Sequence, residues 1–563
     1  MNIAHKMPNE LTDIRIKKIL LTRKYRQFFF PSLIAAAALS LSEFVDSIVV
    51  SNLLDTRALS IVNVCMPLMT LMAAVYLMIS VGGVEIYTER RGKSDLQGAA
   101  KVYTVCLITA VVTGLILLLL GHLFTRKIGN LLCPGLILGE ELLSYIHILL
   151  FSMPVLITVS VILYFLTAAG SPKLSMGLNV FANILNLLLD YVYIRLFHTG
   201  VSGAALATLT SYTLAGLLLL ILKKYYDLPL SPLSPKDFSC LKMIFKDGIA
   251  NSLSQISFTI KYAFCNWLAI TLGGSCALVS MSLCMQTVSI ISIIVVGASD
   301  TIRPFIALLR TQHDYQGTGY ILKKTLRIVW ISSAVFVLFL ELFPGIITTM
   351  YKATSPEIIS VAYPALRIVG ICFLFRSVCI IFMNYTSILG ITWYSVYISL
   401  FDGFVGIVII GLVLSRLFGL TGLWMTYPVD AILLFCSIIC INVTLCKKNP
   451  DRYRSFLLLE KEEAGVKILD LAIDEYEKSA VYISKKAEAF CEENGVSKRL
   501  SVKIGLIAEE MAIYIKGHIK SRDLLNMLLQ KKEDKIWLYF RSIGEAYDLS
   551  SFTEKDIPEN YQM

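Results

Sequence analysis

Twelve long apolar runs constrain this chain more than any other feature of it. A helix needs about 20 mostly apolar residues to cross the hydrocarbon of a bilayer. Runs of that length stand near 28–52, 59–86, 98–124, 140–168, 173–197 and 201–222. A polar, proline-rich break, KKYYDLPLSPLSPKDF, follows. Six more runs then lie near 241–271, 276–302, 324–350, 359–388, 391–416 and 420–446. Backbone amides find no water in hydrocarbon, so each run has to be helical. The predicted class is therefore an all-α polytopic membrane protein of twelve transmembrane helices in two six-helix bundles, plus a small cytosolic α+β domain. The predicted organisation is a leader over 1–27, a first lobe over 28–222, a linker over 223–240, a second lobe over 241–446 and a tail domain over 447–563. Composition agrees, since only 16% of the 563 residues are charged, against about 25% in a soluble domain.

Those few charges are not spread evenly. Arg90, Arg91, Lys93, Lys173, Lys223, Lys224, Lys236, Arg303, Arg310, Lys323 and Lys324 fall in even-numbered loops, and the leader adds Arg15, Lys17, Lys18, Arg23, Lys24 and Arg26. Odd-numbered loops hold little beyond Arg57, Arg126, Lys127, Arg195, Lys352 and Arg416. Basic loops stay inside, so both termini are expected in the cytoplasm of a cell with this protein in its (inner) membrane. The net charge of +10 is then a loop property and needs no nucleic-acid partner. The 13 cysteines are scattered without a CxxC pair, which argues against a disulfide frame or a zinc site. The N-terminus lacks a signal-peptide core and reads as a basic leader helix on the membrane surface.

The two halves repeat. Gly200-Val-Ser-Gly203 matches Gly419-Leu-Thr-Gly422 219 residues later, and Val64-Cys65-Met66 matches Leu283-Cys284-Met285 at the same offset. Gly170 pairs with Gly390, and Arg195-Leu-Phe recurs at Arg416-Leu-Phe. A duplicated unit of six helices keeps its orientation, so the repeat is parallel, with the substrate path between the lobes.

Ionisable groups inside such runs cost at least about 2.5–3.5 kcal/mol each and mark pathways or coupling sites. Asp46 sits mid-run in LSLSEFVDSIVVSNLL, one helical turn after Glu43. Asp190 follows Asn186 and Asn183 at i−4 and i−7, which places a carboxylate and two carboxamides in one stripe. Those oxygens suit a desolvated Na+, and burial of a carboxylate suits proton uptake. The competing reading is a hydrogen-bonded clasp between helices. In the second lobe the Asp46 counterpart is Cys265, while Lys261, Arg376 and Asp402 fall inside or near the runs, where the two cations either pair with Asp402 or snorkel to a helix end. Glu341, Asp430 and Glu85 lie in or near runs too. Pro31, Pro67, Pro154, Pro364 and Pro428 fall inside runs, where they permit kinks.

These strings also carry a resemblance. FPSLIAAAALSLSEFVDSIVVSNLL resembles the first helix of multidrug and toxic compound extrusion (MATE) transporters. GGVEIYTERRGK is similar to the end of their second helix, and LTAAGSPKLSMGLNVFANILNLLLDYVYI with GVSGAALAT to their fourth-to-sixth-helix region. The resemblance covers about 25–446. It implies two bundles facing a central cleft and export driven by Na+ or H+, without another cofactor. It also implies cation coupling at Asp46, Asn186 and Asp190, with Na+ as the one metal these would hold. The second lobe departs from the pattern in lacking an acid at the Asp46 counterpart and in carrying Lys261.

In the tail, 466–493 reads as an amphipathic helix stopped by Gly495, with a second helix over about 498–518. LNMLLQ-KKED-KIWLYFRS reads as a hairpin. FCEENGVSKRLSVKIGLIAEEMAIYIKGH resembles the histidine-kinase-like ATPase fold of anti-sigma factors. Glu509 and Glu510 match its acidic position, but Tyr514 stands where its Asn would be. Arg541-Ser-Ile-Gly544 replaces its Asp-x-Gly motif. The resemblance implies a degenerate module, regulatory and open to a cytosolic protein partner.

The leading expectation is an antiporter that exports small cationic or amphipathic molecules. A lipid-linked saccharide flippase and a membrane sensor acting through the tail are the alternatives. No Walker loop, HExxH, GxSxG or GxGxxG is present, so no enzyme is expected.

Overall fold

The computed structural model describes residues 10–54, 56–92, 95–133, 139–461, 466–473, 479–518, 525–532 and 535–542, with side chains at some helical positions, Glu43 and Asp46 among them, outside that description. The chain packs as two units. One comprises Ser32–Arg303 and Thr325–Ile441, the other Met1–Pro31, Pro304–Lys324 and Asn442–Met563.

The first lobe starts with α1 (Glu10–Leu53) and continues through α2 (Thr56–Val64), α3 (Met66–Gly92), α4 (Leu96–Leu123), α5 (Thr125–Leu132), α6 (Gly139–Ala168), α7 (Pro172–Tyr191) and α8 (Ser202–Ile221). Helix α6 is the hub, packing on α3, α4, α7 and α8. Its Leu149, Ile157, Phe165 and Leu166 are buried in the lobe core. Outward faces carry bare leucines instead, Leu119 and Leu123 each being 71% exposed. An apolar face of that kind calls for lipid. The leader is not a separate surface helix, which corrects the expectation. Residues 10–30 contain neither glycine nor proline, so nothing stops the helix, and α1 runs on through Pro31.

The second lobe comprises α9 (Leu241–Thr311), α10 (Tyr315–Leu342), α11 (Pro344–Met350), α12 (Pro356–Ile371), α13 (Phe373–Ile388), α14 (Thr392–Leu400) and α15 (Gly406–Lys448). A straight helix of 71 residues would be about 106 Å long, far beyond the roughly 30 Å of a bilayer core. Helix α9 breaks at Gly274 (φ 61°, ψ −144°) and α15 at Gly419 (φ 58°, ψ −134°), backbone states that only glycine enters at little cost. The repeat therefore reaches the backbone. Gly419 and its counterpart Gly200 (φ 62°) are both left-handed, as are Gly390 (φ 76°) and Gly170 (φ 97°). Among the described residues eight helical stretches are long and apolar enough to cross a membrane, or nine when α12 and α13, bent by 43°, form one span. The protein is a multi-pass membrane protein.

The other unit joins the first turns of α1, residues 304–324 and the tail. The tail opens with a short pair, β1 (Tyr453–Ser455) and β2 (Leu459–Glu460). Strand β3 (Lys467–Ile473) then leads into α16 (Ser479–Glu493), α17 (Lys498–His518), β4 (Leu525–Lys532) and β5 (Lys535–Ser542). The sheet order is β3-β4-β5, all antiparallel, with Leu469, Leu529 and Leu538 in one row. Helices α16 and α17 bury Ile483, Ala487, Ala508 and Ala512 with Leu471, Met527 and Leu529 of the sheet. The helix expected over 466–493 is thus a strand in its first part. Leu469, Leu471 and Ile473 alternate with Asp470 and Ala472, a period of two. Gly495 (φ 77°) caps α16, with the Val496 N–H donating to the Cys491 carbonyl at 2.9 Å.

A buried ionic network ties this unit together. Lys17 of α1 donates to Asp314 at 2.8 Å and also pairs with Asp470. Arg541 of β5 pairs with Asp314 and donates to Gln312 at 2.8 Å. Asn526 donates to Asp470 at 2.6 Å. Asp314 also caps α10 by accepting from the Gly317 N–H at 2.8 Å. Burial alone would raise the Asp314 pKa, but the charges of Lys17 and Arg541 outweigh it and hold the carboxyl below its ordinary value.

Candidate functional site

The first-lobe stripe is built by one helix against its neighbour. Pro172 opens α7, and Asn179, Asn183, Asn186 and Asp190 then recur at helical spacing along one face. The Asn183 amide donates to the Asn179 carboxamide oxygen at 2.9 Å, and the Asn186 amide to Thr208 of α8 at 3.4 Å. Asp190 is fully buried. Directly after it α7 widens into a π turn over Val192–Leu196, a distortion that recurs at functional positions of helices. Thr210 of α8 meets Tyr193 of that turn, hydroxyl to hydroxyl, at 3.1 Å. Asn179 and Thr208 extend the polar path beyond the predicted residues. Asn179, four residues before Asn183, was readable in the sequence, whereas Thr208 required the α7–α8 packing. The backbone of Asp46 lies on α1; its side chain lies outside the described residues.

The second lobe brings Lys261, Arg376 and Asp402 together. Asp402 sits in another π turn, Phe401–Val405. Arg376 of α13 donates from Nη2 to its carboxylate at 2.9 Å, with Nε in ion-pair contact with the other carboxylate oxygen at 2.8 Å. Lys261 of α9 lies 3.8 Å from the same carboxylate and donates to the Asp402 carbonyl at 2.9 Å. The Lys261 ammonium also stands 5.6 Å from the centre of the Tyr427 ring. All three charged groups line a cavity of about 360 Å³ whose other walls include Phe258, Tyr262, Phe373 and Met285. Ligand pockets commonly measure about 300–1,000 Å³ and combine apolar walls with a few fixed polar groups. Asp430 of α15, 2% exposed, completes the buried charge. An ideal Cβ on Gly406 would fall 1.8 Å from its Oδ1, so only glycine there leaves room for it. Cys265, the counterpart of Asp46, is buried.

The two lobes touch through polar groups. Lys352 donates to the Asn52 carbonyl at 2.8 Å, and Asn52 to the Met350 carbonyl at 2.9 Å. Asn266 of the second lobe donates to the Asn63 carbonyl at 3.2 Å. In the tail, α17 carries Glu509, Glu510 and Tyr514, of which Glu510 is exposed and the other two half-buried. Gly544 lies outside the described residues.

Comparison with known proteins brings in a family. The MatE family model matches residues 31–192 and 251–412, once in each lobe. The multidrug export protein MepA of Staphylococcus haemolyticus is 25% identical over 419 residues, covering 72% of this chain and 90% of the relative. MepA of Staphylococcus saprophyticus is 22% identical over 409 residues, covering 71% and 88%. Among solved structures, the inward-facing conformation of a multidrug resistance MATE family transporter of the MOP superfamily superposes with a TM-score of 0.65 at 21% identity, over 74% of this chain and 99% of that one. A MOP superfamily transporter of Pyrococcus furiosus, described as having a binding pocket of reverse polarity, gives 0.56 at 20% identity, over 77% and 98%.

Proposed function

The chain belongs to the MatE family, and as a secondary active efflux transporter of that family, we propose, it exports small amphipathic molecules, cationic ones among them, in exchange for Na+ or H+. Transport moves its cargo unchanged, so the protein is not an enzyme. The observation that carries the coupling reading is Asp190, fully buried at the end of the Asn183–Asn186 stripe and beside a π turn. With its amide nitrogen engaged by Thr208, Asn186 keeps a carboxamide oxygen for a hard cation. We assign Asp46, Asn183, Asn186 and Asp190 to that cation, with alternating access between the lobes exchanging it for substrate.

The relatives' names as multidrug exporters support a broad small-molecule cargo over the flippase and sensor alternatives. The second-lobe cavity refines the class. Two cations and one acid line it, which favours amphipathic cargo with a polar acceptor over a purely cationic one. Taking α9 and α15 as two spans each, broken at Gly274 and Gly419, and the apolar part of α1 as one more, gives twelve spans. Loop charge then puts both termini in the cytoplasm. The tail becomes a cytosolic module in which Tyr514 and Arg541 stand in for the nucleotide-reading residues of the ATPase fold. We read it as regulatory and available to a cytosolic protein.

The test is efflux of a cationic dye from drug-sensitive cells carrying wild type, Asp46→Asn or Asp190→Asn, with Na+ and H+ gradients collapsed in turn. Loss with one gradient and with either substitution names the ion and its site. Unchanged efflux in both variants, at equal expression, rejects the coupling assignment.

A further inference from the structure

A second cavity lies in neither lobe. It measures about 920 Å³ and lies wholly within the unit formed by the leader, residues 304–324 and the tail. Its walls come from three separate stretches of chain: Lys18 of α1, then Tyr315, Gln316, Gly319, Tyr320 and Lys323 of α10, and Arg454, Ser455 and Leu459 to Lys461 around β1 and β2.

The charge in that lining is one-sided. Its single acid, Glu460, is already satisfied from behind. Arg310 holds it with two nitrogens at 2.7 and 3.1 Å, and Arg452 donates to it at 3.2 Å. Four cations remain, Lys18, Lys323, Arg454 and Lys461, each exposed. None of them forms a salt bridge with another described residue, although neighbouring Lys17, Arg310, Arg452 and Arg541 all do. These four positive groups line one space with no counter-ion among the described residues, and an anion with several charges is attracted to such a space. Arginine and lysine side chains are suited to phosphate oxygens, through a planar fork and a compact ammonium respectively. The floor is firm, because Tyr320 is held by Thr22 at 2.8 Å and Tyr315 by His313 at 3.0 Å.

We propose that this cavity is a binding site for a phosphorylated anion, which its four exposed cations clasp between the leader, the start of α10 and the β1–β2 segment. The bound anion links the tail to two helices that continue into membrane spans, so occupancy is a means of regulating transport. The chemistry is shared by two sources, a soluble phosphate compound and the headgroup of an anionic lipid. Only the placement of the site at the cytosolic surface rests on the orientation proposed above; the binding does not depend on the coupling assignment.

The experiment uses the purified full-length chain. Inorganic pyrophosphate is titrated calorimetrically into protein in neutral detergent, and native mass spectrometry scores phosphatidylglycerol retained after exchange from mixed nanodiscs. Both are repeated on Arg454→Gln/Lys461→Gln, on Lys18→Gln/Lys323→Gln and on a control, Lys498→Gln/Arg499→Gln, whose exposed positions on α17 lie away from the cavity. All six positions are exposed, so folding is not at stake. Pyrophosphate binding that weakens about tenfold or more in both pocket variants and not in the control supports a soluble ligand. Absent pyrophosphate binding with lipid retention lost only in the pocket variants supports a headgroup. Binding of neither probe, or binding equal in pocket and control variants, overturns the proposal.

Discussion

Neutralising Asp402 is the most informative single change in the second lobe. Asp402→Asn keeps the shape of the side chain and leaves Lys261 and Arg376 facing each other in the membrane without their acid. At separations of 2.8 Å to Arg376 and 3.8 Å to Lys261, the lost attractions are about 6 and about 4 kcal/mol at an effective dielectric near 20. Local relaxation and water entering the cavity reduce what is measured. Breaking a buried pair by removing one partner typically costs about 3–5 kcal/mol, and that is the expected destabilisation. Lys261→Met should behave differently. It removes one of the two cations and leaves the Arg376–Asp402 ion pair intact, so it should change stability by no more than about 1 kcal/mol in either direction. Arg376→Leu should fall between the two. The assay is equilibrium unfolding of purified protein in mixed micelles of increasing SDS fraction, followed by circular dichroism. If Asp402→Asn unfolds within about 1 kcal/mol of wild type while Lys261→Met is the damaging change, the argument that Asp402 is the ionised anchor of this cluster is refuted.

Other outcomes follow from the same geometry. An ideal Cβ on Gly82 of α3 would fall 1.9 Å from the Ile244 carbonyl oxygen of α9; Gly82→Ala should therefore cost about 1–3 kcal/mol in the SDS assay and reduce dye efflux. Gly177→Ala, where nothing lies within 4 Å, should be silent in both readouts. Asp314 is held below its ordinary pKa of 3.8 by Lys17 and Arg541 against the opposing effect of burial. Its stabilisation is therefore complete above that ordinary value and is lost as pH falls through the lower folded value. Amide exchange across 525–542, corrected for intrinsic rates, should rise on going from about pH 5 to about pH 2.5, and Asp314→Asn should flatten that component. Arg541→Leu strips one cation from a buried network with two acids and should loosen the tail by about 3 kcal/mol, read as faster limited proteolysis after Lys448 with the membrane lobes intact.

What was legible in the sequence was what depends on local period and on repetition. Twenty-residue apolar runs announce helices because hydrocarbon leaves the backbone no other partner. Two of the matched glycine pairs, Gly200 with Gly419 and Gly170 with Gly390, share left-handed backbone angles, since a repeat copies the breaks along with the helices. The α7 stripe was visible because a polar residue every third or fourth position within an apolar run has few innocent explanations. The hairpin around 531–536 was equally local. By contrast, the first part of 466–493 was assigned to a helix because a seven-residue strand leading into an amphipathic helix presents one continuous stretch of apolar residues. Only the period separates the two, and over seven residues it is short evidence.

The rest was illegible for a different reason. Lys17 meets Asp314 and Asp470 across nearly 300 and more than 450 residues, and no local pattern in a basic leader says which lysine is the buried one. Arg541 is the clearer case. Set beside the ATPase motif it stands only for a missing aspartate, a mark of decay. In the structure it is 5% exposed and binds Asp314 and Gln312, so the side chain is a buried anchor of the tail, a role that the motif comparison did not suggest. The same reasoning explains why the neighbouring cavity went unnoticed. Lys18, Lys323, Arg454 and Lys461 are unremarkable in sequence, each one basic residue among many in the leader, a basic loop or the tail. Their neighbours Lys17, Arg310, Arg452 and Arg541 pair with Asp314, Asp470 and Glu460, whereas these four form no salt bridge with another described residue.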